Sequence, residues 1–222
     1  MGHSSFNKLS RLAKLAAIAL PLAWLTALGQ ATDLPPRSAQ FPTRVEQLKA
    51  HIERVDQRAD QLRAPEFPTG KDWFNSPPLT FGKQLAGKIT VLDFWTYCCI
   101  NCIHILPDLA ELEERYAGYP VAFVGVHSAK FDNEKVSENI RDAVLRYEIA
   151  HPVVNDDTMH MWQRIGVRSW PSMAVVGPKG NLMLMVSGEG NKELIDACIT
   201  AALAFYPKDI FQIGRASCRE RV

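Results

Sequence analysis

Residues 89–107 read ITVLDFWTYCCINCIHILP. The first seven are apolar and rich in β-branched and aromatic side chains around one acid, Asp93. Three cysteines, Cys98, Cys99 and Cys102, follow within five positions, and the pattern then becomes helical. Such a run reads as a buried strand that delivers thiols to the start of a helix, so the chemistry is expected at that junction.

Cys99 and Cys102 form a C-x-x-C pair. At a helix start this spacing brings two sulfurs close enough to open and close a disulfide without large backbone movement. The helix end also offers unpaired N–H groups and a positive dipole, which favour thiolate over thiol. Cys99, nearer the helix start, is the expected nucleophile, and Cys102, one turn inside, the resolving thiol. No second C-x-x-C is present, which argues against a closed four-cysteine zinc site. Asp93 shares the strand's period-two face with Val91 and Trp95. A carboxyl buried there is expected to hold its proton more tightly than usual and to exchange it with Cys102.

The segment from Asp93 to Cys102 resembles the active-site segment of thioredoxins and their exported relatives. The resemblance puts Asp93 at the family's buried acid, Trp95 at its active-site tryptophan and Pro107 at its helix-kinking proline. Residues 166–172, GVRSWPS, look like its cis-proline loop. On that basis Trp95, Trp170 and Pro171 are expected to border the substrate, with Pro171 against the C-x-x-C. Cys98 departs from the family, whose exported members often carry tryptophan there. It either tunes, protects or competes with Cys99, or is a small apolar filler. His104, just past Cys102, and His127, at the end of a parallel strand, are possible modulators. Residues 94–102, 125–131, 143–156 and 188–190 together resemble the thioredoxin-like domain of the family of NHL-repeat-containing protein 2 and plant suppressor-of-quenching. The resemblance spans residues 65–206 and implies a C-terminal NHL-repeat propeller, of which no repeat is seen here.

The expected fold is therefore α/β and thioredoxin-like, a mixed central β-sheet with helices on both faces, preceded by an N-terminal helical extension. Strands are expected over 89–95, 121–126, 173–176 and 182–186, with an extended piece over 152–154. Helices are expected over 99–116, kinked at Pro107, and over 135–149, 158–165 and 191–206. Residues 177–181, GPKGN, read as a hairpin turn. Over residues 43–63, Val45, Leu48, Ile52, Val55, Ala59 and Leu62 form a three-heptad seam with Thr43 as N-cap. That helix either pairs with a partner or lies on the domain surface, and its shortness favours the surface.

The ends carry other information. Lys8, Arg11 and Lys14 precede an apolar run over residues 15–28, and small residues follow, the order of a secretory signal. Residues 1–31 thus read as a signal peptide or membrane anchor, 32–70 as a linker with an amphipathic helix, 71–207 as the thioredoxin-like domain and 208–222 as a tail. Export to a periplasm or an equivalent compartment follows, with membrane attachment if the signal is retained. Residues 213–222, IGRASCRERV, match a reading frame of a widely used sequencing adapter and are read as an artefact, which removes Cys218 from the chemistry.

The 222 residues are 47% hydrophobic and 22% charged with a net charge of +1, so nothing points to a nucleic-acid partner. No nucleotide or flavin motif implies an organic cofactor. The leading reading is an exported thiol–disulfide oxidoreductase acting on protein disulfides or dithiols with a redox partner protein, its direction open. The competing one is a copper-binding protein, because Cys98 and Cys102 also make the C-x-x-x-C that resembles Sco-type proteins. His104, His127 or His151 would then supply a third ligand.

Overall fold

The computed structural model describes residues 43–211. The expected signal segment (1–31), the part of the expected linker before residue 43 and the adapter-like tail (213–222) lie outside the described residues. Six strands form one mixed sheet: β1 (Trp73–Phe74), β2 (Ile89–Trp95), β3 (Val121–His127), β4 (Val153–Asn155), β5 (Ser172–Val176) and β6 (Leu182–Ser187). Their order is β1-β4-β3-β2-β5-β6. β2, β3 and β4 run parallel, while β1, β5 and β6 are antiparallel to their neighbours. Among the described residues no helix is long and apolar enough to cross a membrane.

All seven residues of β2 are buried, as expected of a central strand covered on both sides. Its alternate side chains feed two apolar layers. Val91, with Phe123 of β3 and Val175 of β5, packs beneath α1 (Arg44–Asp56), α3 (Leu106–Arg115) and α6 (Lys192–Phe205). Leu92 and Phe94, with Val124, Val126 and Ala174, pack against Phe67, Leu85 and the α5 (His160–Ile165) residues Met161 and Ile165. Asp156 starts α5 by accepting the Met161 and Trp162 amides, each at 3.0 Å.

The N-terminal helix is part of this core. Thr43 and Glu46 form a reciprocal capping box, and Leu48, Ile52 and Val55 are buried against α6. The expected seam over 43–63 ends early, at Asp56. Residues 62–64 instead join the β5–β6 hairpin, with Ala64 N–H donating to Gly180 O and Leu182 N–H to Leu62 O, both at 2.8 Å. Leu62 is left 39% exposed rather than completing an apolar stripe.

Two other expected helices are broken by the backbone. The stretch 99–116 forms α2 (Ile100–His104) and then α3, with Pro107 in the first turn of α3, where its missing N–H costs nothing, so it starts a helix rather than kinking one. The stretch 135–149 starts on the last residue of a 3₁₀ turn (Asp132–Lys135) and then forms α4 (Ser137–Arg146), the two separated by extended Val136. Glu148, at φ 53°, turns the chain out of α4. β1 is a two-residue edge strand that pairs antiparallel with β4.

Candidate active site

β2 ends at Trp95, and Thr96 to Cys98 carry the chain to α2. Cys99 is the N-cap of α2, and its Sγ accepts the Cys102 N–H at 3.3 Å. Cys99 is half-buried, whereas Cys102 lies fully buried behind it, its thiol hydrogen-bonded to the Cys99 sulfur. Burial first, and that hydrogen bond second, push the Cys102 thiol far up, so it stays protonated until a base takes its proton. The two sulfurs are thus in contact, one reachable from solvent and one shielded.

Asp93 sits on β2 two residues before Trp95, only 3% exposed, and neither carboxyl oxygen has a hydrogen-bond partner in the protein. Burial raises it from 3.8 to about 7, an effect that His151 opposes and Glu113 reinforces.

Trp95 requires a correction. Expected to border the substrate, it is fully buried, its ring edge-on to His127 at 5.0 Å. It therefore packs beneath the dithiol with no surface open to solvent. Trp170, half-buried, borders the same apolar cluster as Cys99, stacks on Trp162 at 4.1 Å and donates from Nε1 to Ser128 O at 3.0 Å. The Trp170-Pro171 peptide is cis, and Pro171 O accepts the Gly188 N–H at 2.9 Å.

Cys98 is exposed, but it is held by a residue that sequence reasoning missed. Glu134 is fully buried. Its carboxylate accepts Thr96 Oγ1 at 2.5 Å and the amides of Cys98, Lys130 and Phe131 at 3.2, 2.7 and 2.8 Å. Burial works against its charge, yet the bonds from Thr96, Cys98 and the two amides hold it below the usual carboxylate range. Burial and the neighbouring Glu134 carboxylate in turn raise the Cys98 thiol. Nothing in the run KFDNEK around Glu134 signals burial, because the residue reaches the site from a loop after β3.

The histidines go to separate tasks. His104 is exposed and lies 3.4 Å from Glu189. His127 is fully buried, stacks on Tyr97 and accepts the Tyr97 N–H at 3.4 Å. Burial lowers it to about 4, so it is neutral at pH 7. His151 pairs through Nδ1 with Glu113 Oε1 at 2.7 Å. Among the described residues no three His, Cys, Asp or Glu side chains converge as metal ligands, so the donor set for copper is not assembled around Cys98 and Cys102. Glu113 had a readable signal, since it falls in the helical stripe of Leu109, Leu112 and Tyr116.

A thioredoxin-like family model matches residues 87–182. The Arabidopsis thaliana protein SUPPRESSOR OF QUENCHING 1, chloroplastic, is 47% identical over 193 residues, which is 87% of this chain and 18% of that protein. Bos taurus NHL repeat-containing protein 2 is 50% identical over 165 residues, 73% of this chain and 23% of that protein. The chain thus spans less than a quarter of the length of either. The thiol-disulfide oxidoreductase YkuV of Bacillus subtilis is 21% identical over 140 residues, 63% of this chain and 93% of that protein. In fold, a solution structure of a thioredoxin-like protein in the oxidized form superposes with a TM-score of 0.58 at 20% identity, covering 66% of this chain and 97% of that one.

Proposed function

Because this chain carries a thioredoxin-like domain and has NHL repeat-containing protein 2 and plant SUPPRESSOR OF QUENCHING 1 among its close homologues, we propose that it is a thiol–disulfide oxidoreductase acting on protein substrates. The observation that carries the proposal is the asymmetric dithiol. Cys99 Sγ, at a helix N-cap, is reachable and receives an N–H, while Cys102 is shielded and protonated.

In the reducing direction the Cys99 thiolate attacks one sulfur of a substrate disulfide. A mixed disulfide forms, and the other substrate sulfur leaves with the electron pair and takes a proton from water. Cys102 gives its proton to Asp93 and attacks Cys99 Sγ, closing the Cys99–Cys102 disulfide and releasing the second substrate thiolate. A partner dithiol reverses these steps to reduce the domain. Which direction prevails depends on the reduction potential, with 30 mV equivalent to about 1.4 kcal/mol. Trp170 and Pro171 border the substrate in this reading, and Cys98, tied to Glu134, modulates Cys99 from one side.

Residues 71–207 are the redox domain in this reading. The basic and apolar start of the chain directs it out of the cytoplasm, and the domain serves a longer NHL-repeat protein. Catalysed reduction of a protein disulfide by the purified chain, with a low-molecular-weight dithiol as electron donor, tests the activity. Cys99→Ser should abolish turnover and Cys198→Ala, a buried site away from the dithiol, should not. Full turnover by Cys99→Ser would end the proposal.

A further inference from the structure

Beneath the dithiol, several buried polar atoms have no hydrogen-bond partner in the protein: both Asp93 carboxyl oxygens, Trp95 Nε1 and His151 Nε2. Leaving a buried polar group unpaired is costly, so their grouping needs a reason. The sheet register supplies the grouping. Asp93 on β2, Gly125 on β3 and Val153 on β4 are lateral neighbours in parallel strands, so their side-chain positions lie on one face. Trp95 lies two residues past Asp93, and His151 two residues before Val153.

The middle position has no side chain. A Cβ on Gly125 would come within 3.1 Å of both His151 Nε2 and Trp95 Nε1, and 3.0 Å of Val153 Cγ2. The imidazole and indole edges thus take the space of a missing side chain, one strand from Asp93. His151 Nδ1 lies 2.7 Å from Glu113 Oε1, and with Nδ1 donating, Nε2 turns a lone pair toward the gap. The His151 side chain is 5% exposed and that of Glu113 24%, and the pair lines two surface clefts of about 370 and 340 Å³. A line of titratable groups therefore runs from the buried carboxyl to solvent, with one gap, between Asp93 and His151, that no direct hydrogen bond closes.

We propose that His151 and Glu113 are a proton relay that connects Asp93, and through it Cys102, to solvent through clefts that Trp170 and Pro171 do not line. The relay rests on the dithiol reading above. When Cys102 closes the disulfide, its proton passes to Asp93, from Asp93 through a bridging water to His151 Nε2, from His151 Nδ1 to the Glu113 carboxylate, and from Glu113 to bulk water. The same steps run backwards when a partner dithiol reduces the domain, so no proton needs to leave past Trp170 and Pro171. The titratable groups facing Asp93 are Cys102, His151 and Glu113, and His127, further along the same face, stays neutral at pH 7. The raised carboxyl, about 7, suits an acceptor and donor working near neutral pH.

A chromogenic aryl disulfide separates the two steps in the full chain carrying Cys98→Ser and Cys218→Ser. The first equivalent of aryl thiolate reports attack by Cys99, and the second reports closure by Cys102. In His151→Gln the first release should be unchanged. The second should slow about tenfold near pH 7 and lose its bend in the pH–rate profile, less than the roughly 10²–10⁴ of a group acting directly on the reacting atom. Glu113→Gln should slow the second release severalfold, and added imidazole should restore it in His151→Gly by entering the clefts. Second-phase rates equal to the parent protein's in both glutamine variants at every pH would overturn the relay. So would equal slowing of both phases without imidazole rescue, which marks a merely structural role. If the parent protein itself gives no second release, the dithiol reading falls first and the relay with it.

Discussion

Replacing Asp93 by asparagine should stabilise the folded protein, and the gain should grow with pH. Burial raises this carboxyl from 3.8 to about 7, so between those values the folded state holds a proton that the unfolded chain has released. The stability associated with the neutral acid is complete below about pH 4, is lost as pH rises towards 7, and is gone above it. At about 1.4 kcal/mol per pH unit, the native state at pH 8 carries a deficit on the order of 4 kcal/mol relative to an uncharged side chain of the same shape. Roughly 2.5 kcal/mol of that accrues between pH 5 and pH 8. Asparagine keeps the shape and never ionises. Urea unfolding of both proteins at pH 5 and pH 8 reads the difference directly, and at pH 8 the midpoint temperature should rise by about 10 °C for a chain of this size. The same variant should close the Cys99–Cys102 disulfide slowly, because Cys102 loses its base. An advantage that is flat with pH, or an asparagine variant less stable than the parent at pH 8, would show that the carboxyl is not desolvated and refute the reasoning.

Ile52, fully buried where α1 meets α6, should cost about 2–5 kcal/mol when cut to alanine; a loss under 1 kcal/mol by chemical denaturation would place α1 outside the core. Glu134→Gln should cost about 2 kcal/mol by weakening the charge-assisted bonds from Thr96, Cys98, Lys130 and Phe131. It should also speed alkylation of Cys98 at pH 7, since the carboxylate that holds its proton is gone; an unchanged alkylation rate contradicts that coupling.

What the sequence made legible is what lies close together along the chain. The apolar run of β2, the C-x-x-C at the helix start and the turn residues between β5 and β6 each carry local chemistry, and each is found where it was read. Helix ends were harder, because tertiary pairing decided them: residues 62–64 leave the helical pattern to bond the hairpin, which lies far along the chain. Depth was not legible either. Trp95 matched an active-site position by its neighbours in sequence, yet only the layers above β2 show that it is sealed from solvent. The group around Gly125 depends on the register of three strands, and a glycine in an apolar strand does not announce which imidazole will lean over it.

In the proposed mechanism Cys99 takes the substrate sulfur and Cys102 releases it. The direct measurement is to expose Cys102→Ser to a disulfide-containing protein and locate the resulting covalent adduct by peptide mass spectrometry. A stable mixed disulfide on Cys99 is the expected result. An adduct carried by Cys98 instead, or no adduct where the parent protein turns over, would contradict it.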